Sequence, residues 1–203
     1  MHPTAPIFLM LSAMLLIPNY PYYVIFFYTG LAIFFTCLNG RENHDVAYTV
    51  QLPVAKRDVV RARFAFVLVL EGVQTAAAVP FAALRQSFPM PGNEVGMDAN
   101  IALFAFSFVL LGMFNLVFFS IYYRNVRKVG KAFVVSSITV FVYMGILEVC
   151  THLIPFLRDR MDTPDPQYLT EKLILLAAGI LLFAALTWAA YQNAVRRFEA
   201  QDL

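Results

Sequence analysis

Apolar positions along the chain gather into six segments, about 6–17, 22–39, 64–84, 101–123, 132–156 and 173–191, with the polar and charged positions between them. The last four have the length and uniformity of helices that cross a bilayer, which takes about 20 apolar residues for a hydrocarbon core near 30 Å. The first is short: its 12 residues rise only about 18–20 Å as a helix. Ile17-Pro18-Asn19-Tyr20-Pro21 separates it from the second as a turn signal, and Tyr20, Tyr22 and Tyr23 suit the headgroup level. The first two segments therefore predict a tight helical hairpin, with its first arm tilted or incompletely buried. The pattern predicts an all-α integral membrane protein with six transmembrane helices, forming one transmembrane domain over residues 1–203.

Composition narrows the function classes. Hydrophobic side chains make up 60% of the chain and charged ones 14%, against about 45–50% and about 25% in soluble domains. Six spans leave no room for a separate soluble catalytic domain, and a net charge of +2 argues against a large nucleic-acid surface. Cys37 and Cys150 both fall in apolar stretches, too few for a disulfide framework or a metal-ligand set, and read as small buried side chains. Met1 to Thr4 carries no Lys or Arg, so no cleavable signal peptide is expected.

The basic residues orient the spans. Residues 41–63 carry five, 124–131 carry four, and Arg196 and Arg197 lie in the tail, eleven on one side; Arg85, Arg158, Arg160 and Lys172 make four on the other. The positive-inside rule places the first set, and with six spans both termini, in the cytoplasm of a multi-pass cell-membrane protein. The outer stretch 157–172, with Pro164 and Pro166, reads as an irregular solvated loop. Gly30, Gly72, Gly112, Gly145 and Gly179 put one glycine in each of the last five spans, where small residues let helix backbones approach closely.

The longest cytoplasmic stretch, 40–63, holds the most informative residues. Pro53 can open a helix, and Leu52, Ala55, Val59, Ala62 and Phe66 then recur at spacings of three and four, with Lys56, Arg57 and Arg61 pointing elsewhere. This predicts a short amphipathic helix leading into the third span. It has two readings: a helix lying on the inner leaflet with its cations on anionic lipid, or a handle gripped by a cytoplasmic partner.

Glu42, then Leu52-Pro53-Val54, Lys56-Arg57-Asp58-Val59-Val60 and a basic entry to a span, resembles a known signature. It is similar to the loop between spans two and three in six-span permease subunits of type-two ABC exporters, in the small group related to the phenol-soluble modulin exporter permeases. The run around Ile17-Pro18-Asn19-Tyr20-Pro21-Tyr22-Tyr23-Val24 also looks like members of that group, so the resemblance covers nearly the whole chain. It implies that the loop holds a coupling helix for a separate ATPase, present in two copies. Glu42, Leu52, Pro53, Val54, Lys56, Arg57, Asp58 and Arg61 would be the coupling residues. It further implies a second permease copy or a sister permease, and amphipathic or antimicrobial-type peptides as cargo. Such relatives begin with a basic interfacial helix, where this sequence reads Met1-His2-Pro3-Thr4.

No P-loop occurs: the nearest approach, Gly130-Lys131, has Asn125 and Ala132 where the motif needs Gly and Ser or Thr. The chain itself is thus expected to be no enzyme and to hold no cofactor or metal, with ATP and Mg bound by the partner. Within the spans, Glu71 with Gln74, Asn115, and Glu148 with His152 are costly in lipid unless they face a partner or a cavity. They are candidates for a translocation path, and equally for interhelical hydrogen bonds. One His beside Glu148 falls short of the two that a His-Glu-x-x-His metalloprotease helix requires. The alternative function is a stand-alone ion- or proton-coupled transporter using Glu71 and Glu148; a third is a non-transporting membrane scaffold or immunity protein.

Overall fold

The computed structural model describes residues 5–88 and 92–201. Every regular element among them is helical. In order they are α1 (Ala5–Met10), running into a 3-10 helix (Leu11–Leu16), then α2 (Tyr23–Glu42), α3 (Asp45–Val50), α4 (Lys56–Ser87), α5 (Ile101–Tyr122) and α6 (Val129–Leu153). A π-helical turn (Leu157–Met161) and α7 (Leu169–Glu199) complete the chain. Five of these helices, α2, α4, α5, α6 and α7, are long and apolar enough to cross a membrane.

The first segment departs from the six-span expectation. Six residues of α-helix and six of 3-10 helix together rise about 21 Å, short of the ~30 Å core. It lies beside α2, where Phe8 stacks on Tyr28 and on Phe35. Phe35 is twelve residues along α2 from Tyr23, about 18 Å, so the described arm reaches past the middle of the bilayer beside α2. The tyrosines at its turn also depart from expectation. Tyr22 and Tyr23 are buried, not set at a lipid interface. The Tyr22 hydroxyl donates to the Ile17 carbonyl at 3.0 Å and accepts from Arg85 Nε at 3.1 Å.

Helix α5 is the hub of the bundle, packed on α7, α6 and α2. Its start is fixed by Asn100, whose side chain accepts the Leu103 N–H at 3.1 Å, one of the donors a helix start leaves unpaired. Three of the five span glycines set these contacts. A Cβ at Gly179 would collide with the Ala105 backbone, one at Gly112 would lie 3.1 Å from Phe183 Cα, and one at Gly30 would sit 2.8 Å from the Phe114 ring. Gly72 and Gly145 meet nothing within 4 Å and face outward.

The two longest helices overrun the bilayer. Helix α4 has 32 residues and α7 has 31, about 48 and 46 Å against ~30 Å. This corrects the expected amphipathic helix after Pro53. The chain bends at Pro53, which biases the residue before it away from helix, and Ala55 caps α4 with an extended ψ of 138°. Nothing breaks the helix between Lys56 and Phe64, so the basic stretch forms the first turns of the third span. The separate short helix is α3, on the other side of Pro53.

The stretch 157–172 is likewise more ordered than expected. Lys172 is fully buried; its Nζ donates to Asp165 Oδ1 at 2.9 Å and to the Thr163 carbonyl at 2.6 Å. Asp165 also accepts the Ile101 N–H at 3.0 Å and Gln86 Nε2 at 3.2 Å. One carboxylate thus joins the ends of α4, α5 and α7.

Candidate functional site

At the end of the bundle rich in Lys and Arg, α2 stops at Glu42 and His44 turns the chain in a left-handed conformation (φ 56°) into α3. Beyond α3 the chain is extended through Pro53. Tyr48, Leu52 and Val54 are exposed by 65%, 42% and 47%, and Glu42 and Pro53 are exposed beside them. These apolar side chains lie on a short polar segment outside the five long helices. An exposed apolar patch with a polar surround is the signature of a surface built to be covered. Tyr48 was not among the residues marked by the loop signature, because it lies in the helix before Pro53, where six residues are too few to show a period.

The expected coupling residues separate into two groups. Glu42, Leu52, Pro53 and Val54 form the exposed tip. Lys56 and Arg57 turn to the C-terminal helix: Lys56 Nζ donates to the Gln201 carbonyl and Arg57 Nε to the Tyr191 hydroxyl at 3.3 Å. Gln201 Nε2 donates in turn to the Tyr123 carbonyl. The first turn of α4 is therefore strapped to the end of α7. Asp58 and Arg61 line a groove between those two helices.

The candidate polar residues within the spans form two sites far apart in the bundle. In its interior, Asn115 Nδ2 donates to Glu71 Oε2 and to Thr187 Oγ1, each at 3.2 Å, joining α5 to α4 and α7. Gln74 Nε2 donates to Ser12 Oγ at 2.9 Å and holds the short first arm against α4. All five side chains are buried. We expect Glu71→Gln, which keeps an acceptor toward Asn115, to cost about 1 kcal/mol or less. Glu71→Ala strands a buried amide and should cost about 1–3 kcal/mol, read by thermal unfolding in detergent. Equal losses in the two variants would remove the hydrogen bond as the cause.

Glu148 and His152 belong to the opposite end of the bundle. The Glu148 carboxylate rests on Gly96, where a Cβ would overlap it, and His152 is exposed. Nearby, Asp98 N–H donates to Asp162 Oδ1 at 2.7 Å. Burial pushes the Asp162 carboxyl from 3.8 up to about 6; the Asp98 charge adds to the rise, while the Asp98 N–H, His152 and Lys172 oppose it. The folded state thus favours the protonated acid, a stabilisation complete below about pH 4 and lost as pH rises through about 6. Amide protection over 92–100 and 157–165 should fall across that window, and the fall should be absent in Asp162→Asn. An unchanged profile in the variant would assign the titration elsewhere.

Neither the Asp165 hub nor the burial of Lys172 was marked in advance. The one signal was Asn100 immediately ahead of an apolar run, the sequence sign of a helix cap. A family model described as "ABC-2 family transporter protein" matches residues 3–199. No curated protein and no solved structure matches the chain.

Proposed function

The chain belongs to the ABC-2 family of transporter proteins, and we propose that it is the membrane-spanning subunit of an ATP-driven exporter whose ATPase is a separate chain. As a multi-pass transport subunit it is not itself the enzyme of the cycle. The observation that carries the proposal is the exposed tip at the Lys- and Arg-rich end, Tyr48 with Leu52-Pro53-Val54 beside Glu42. An ATPase seated there, with that end in the cytoplasm, covers apolar side chains that the bundle leaves in water.

A route from the tip into the membrane follows from the helices. Leu52–Val54 leads through Ala55 into α4, a single helix from Lys56 to Ser87, long enough to cross the bilayer, with Pro80 in its second half. Lys56 and Arg57 tie the first turn of α4 to α7, so a push at the tip moves two spans as one body. A second copy, or a sister permease, completes the translocation path, two ATPases energise it by binding and hydrolysing ATP with Mg, and amphipathic peptides are the cargo class. In this reading Glu71, Gln74 and Asn115 hold helices together, and Glu148 and His152 stand at the far opening.

Inverted membrane vesicles containing the permease and its ATPase should take up a fluorescent amphipathic peptide with ATP and not with a non-hydrolysable analogue. Uptake driven by an ion gradient alone, and abolished by Glu71→Gln or Glu148→Gln, would favour the stand-alone transporter instead.

A further inference from the structure

Outside the tip and the buried network, a groove of about 810 Å3 lies between the first half of α4 and the second half of α7. Phe64, Leu68, Phe183 and Trp188 give it an apolar lining, and Arg57, Asp58 and Arg61 line it toward the start of α4. The neighbouring outward side chains Val69, Leu181 and Leu182 are exposed and apolar, so the groove opens sideways onto the bilayer. From Arg57 to Leu68 is eleven residues of continuous helix, about 16 Å. That length carries a phospholipid from its phosphate, at the interfacial layer, into the upper part of its acyl chains.

We propose that this groove binds an anionic glycerophospholipid from the leaflet at the Lys- and Arg-rich end. The phosphate sits between Arg57 and Arg61, and the acyl chains lie on Phe64, Leu68, Phe183 and Trp188. The two arginines are four residues apart on one face of α4, and guanidinium forks match phosphate oxygens. Asp58 leaves that end of the groove with one net positive charge. That matches the single negative charge of a phosphatidylglycerol-type headgroup and disfavours the extra cation of a choline headgroup. Tyr191, which accepts from Arg57 Nε, fixes that guanidinium there. The inference rests on the α4–α7 groove and is independent of whether an ATPase covers the tip.

The chain has one tryptophan, Trp188, exposed by 62% on the wall of the groove, and this provides the assay. The permease is reconstituted in phosphatidylcholine vesicles containing increasing fractions of brominated phosphatidylglycerol or brominated phosphatidylcholine, and quenching of Trp188 is recorded. Brominated phosphatidylglycerol should quench at several-fold lower mole fraction than brominated phosphatidylcholine. Arg61→Gln, which leaves the Arg57–Tyr191 bond in place, should bring the two lipids together. Arg124→Gln with Arg127→Gln, at the same end but outside the groove, should preserve the preference. Unchanged quenching of Arg61→Gln by brominated phosphatidylcholine verifies that the helix pair is intact; loss of it transfers the comparison to Arg61→Lys, which should retain the preference. Equal quenching by both lipids in the parent protein would overturn the proposal. So would a preference lost in the Arg124 and Arg127 variant instead, or protection from both lipids, which would mean that a second copy fills the groove.

Discussion

Asp165→Ala should be the most damaging single substitution outside the bundle core. It leaves the Lys172 ammonium, fully buried, without its carboxylate, and it removes the acceptor for Ile101 N–H at the start of α5 and for Gln86 on α4. Removing one partner of a buried ion pair costs about 3–5 kcal/mol, since the remaining charge stays out of water unpaired. Asp165→Asn keeps acceptor oxygen toward Lys172 and should cost less. Replacing both partners, Asp165→Asn with Lys172→Met, should recover part of the loss, because no charge is then stranded. Unfolding in a graded denaturing detergent, followed by helical circular dichroism, measures all three. A loss for Asp165→Ala no larger than that of an exposed alanine replacement would show the pair is not buried in the membrane-bound protein.

The second large effect belongs to Gly179. Its Cα faces the Ala105 backbone so closely that even a methyl group collides with main chain, which cannot swing away as a side-chain end can. Gly179→Val should push α7 off α5, the largest helix–helix contact in the fold, with loss of packing along both helices. Overpacking of this kind costs typically 1–3 kcal/mol, and the upper end is expected with rigid backbone on the other side. Gly145→Val, where a Cβ meets nothing within 4 Å, is the matched control and should be close to neutral. The same unfolding assay should separate the two variants, and equal midpoints would contradict the packing.

How much of this was legible in the sequence follows from what each signal depends on. The α4, α5, α6 and α7 spans were legible because an apolar run of about 20 residues has few other solutions. The shortness of the first arm was legible from its 12 residues, but its count as a sixth span was an expectation that five helices of spanning length do not support. The break at Pro53 was visible, but the helix was placed on one side of it only. An apolar period shared by an amphipathic surface helix and by the entry turns of a spanning helix does not say where the helix ends. Tyr22 and Tyr23 were misplaced because an interfacial tyrosine and one buried beneath an outer loop have the same local sequence. Residues 93–97, which cover them through Asn93 Nδ2 to the Tyr20 carbonyl at 2.9 Å and Tyr23 Oη to Met97 Sδ at 3.5 Å, lie some seventy positions away.

The polar candidates show the same division. Glu71 and Gln74 share a helix face by their spacing, but their partners Asn115 and Ser12 come from two other elements, and Asn115 also donates to Thr187 of a third. Glu148 looked equivalent to Glu71 as an acid in an apolar run, yet it lies at the end of α6 under the Gly96 backbone. Depth within a span separates the two, and a hydropathy pattern resolves depth only to a turn or so. The coupling signature marks a segment that includes exposed residues at Glu42 and Leu52–Val54. It could not show that Lys56 and Arg57 are drawn to Gln201, just beyond α7, and to Tyr191 within it, 145 and 134 positions distant.

Purification of the tagged chain from its native membranes in mild detergent, followed by mass spectrometry of what accompanies it, should bring a stoichiometric P-loop ATPase. The ATPase should be lost from a variant carrying Leu52→Asp and Val54→Asp, both exposed and therefore compatible with an intact bundle, and retained in Arg124→Gln. A chain that purifies without any ATPase even after crosslinking, or an ATPase bound equally well by the Leu52 and Val54 variant, would contradict the proposed ATPase coupling.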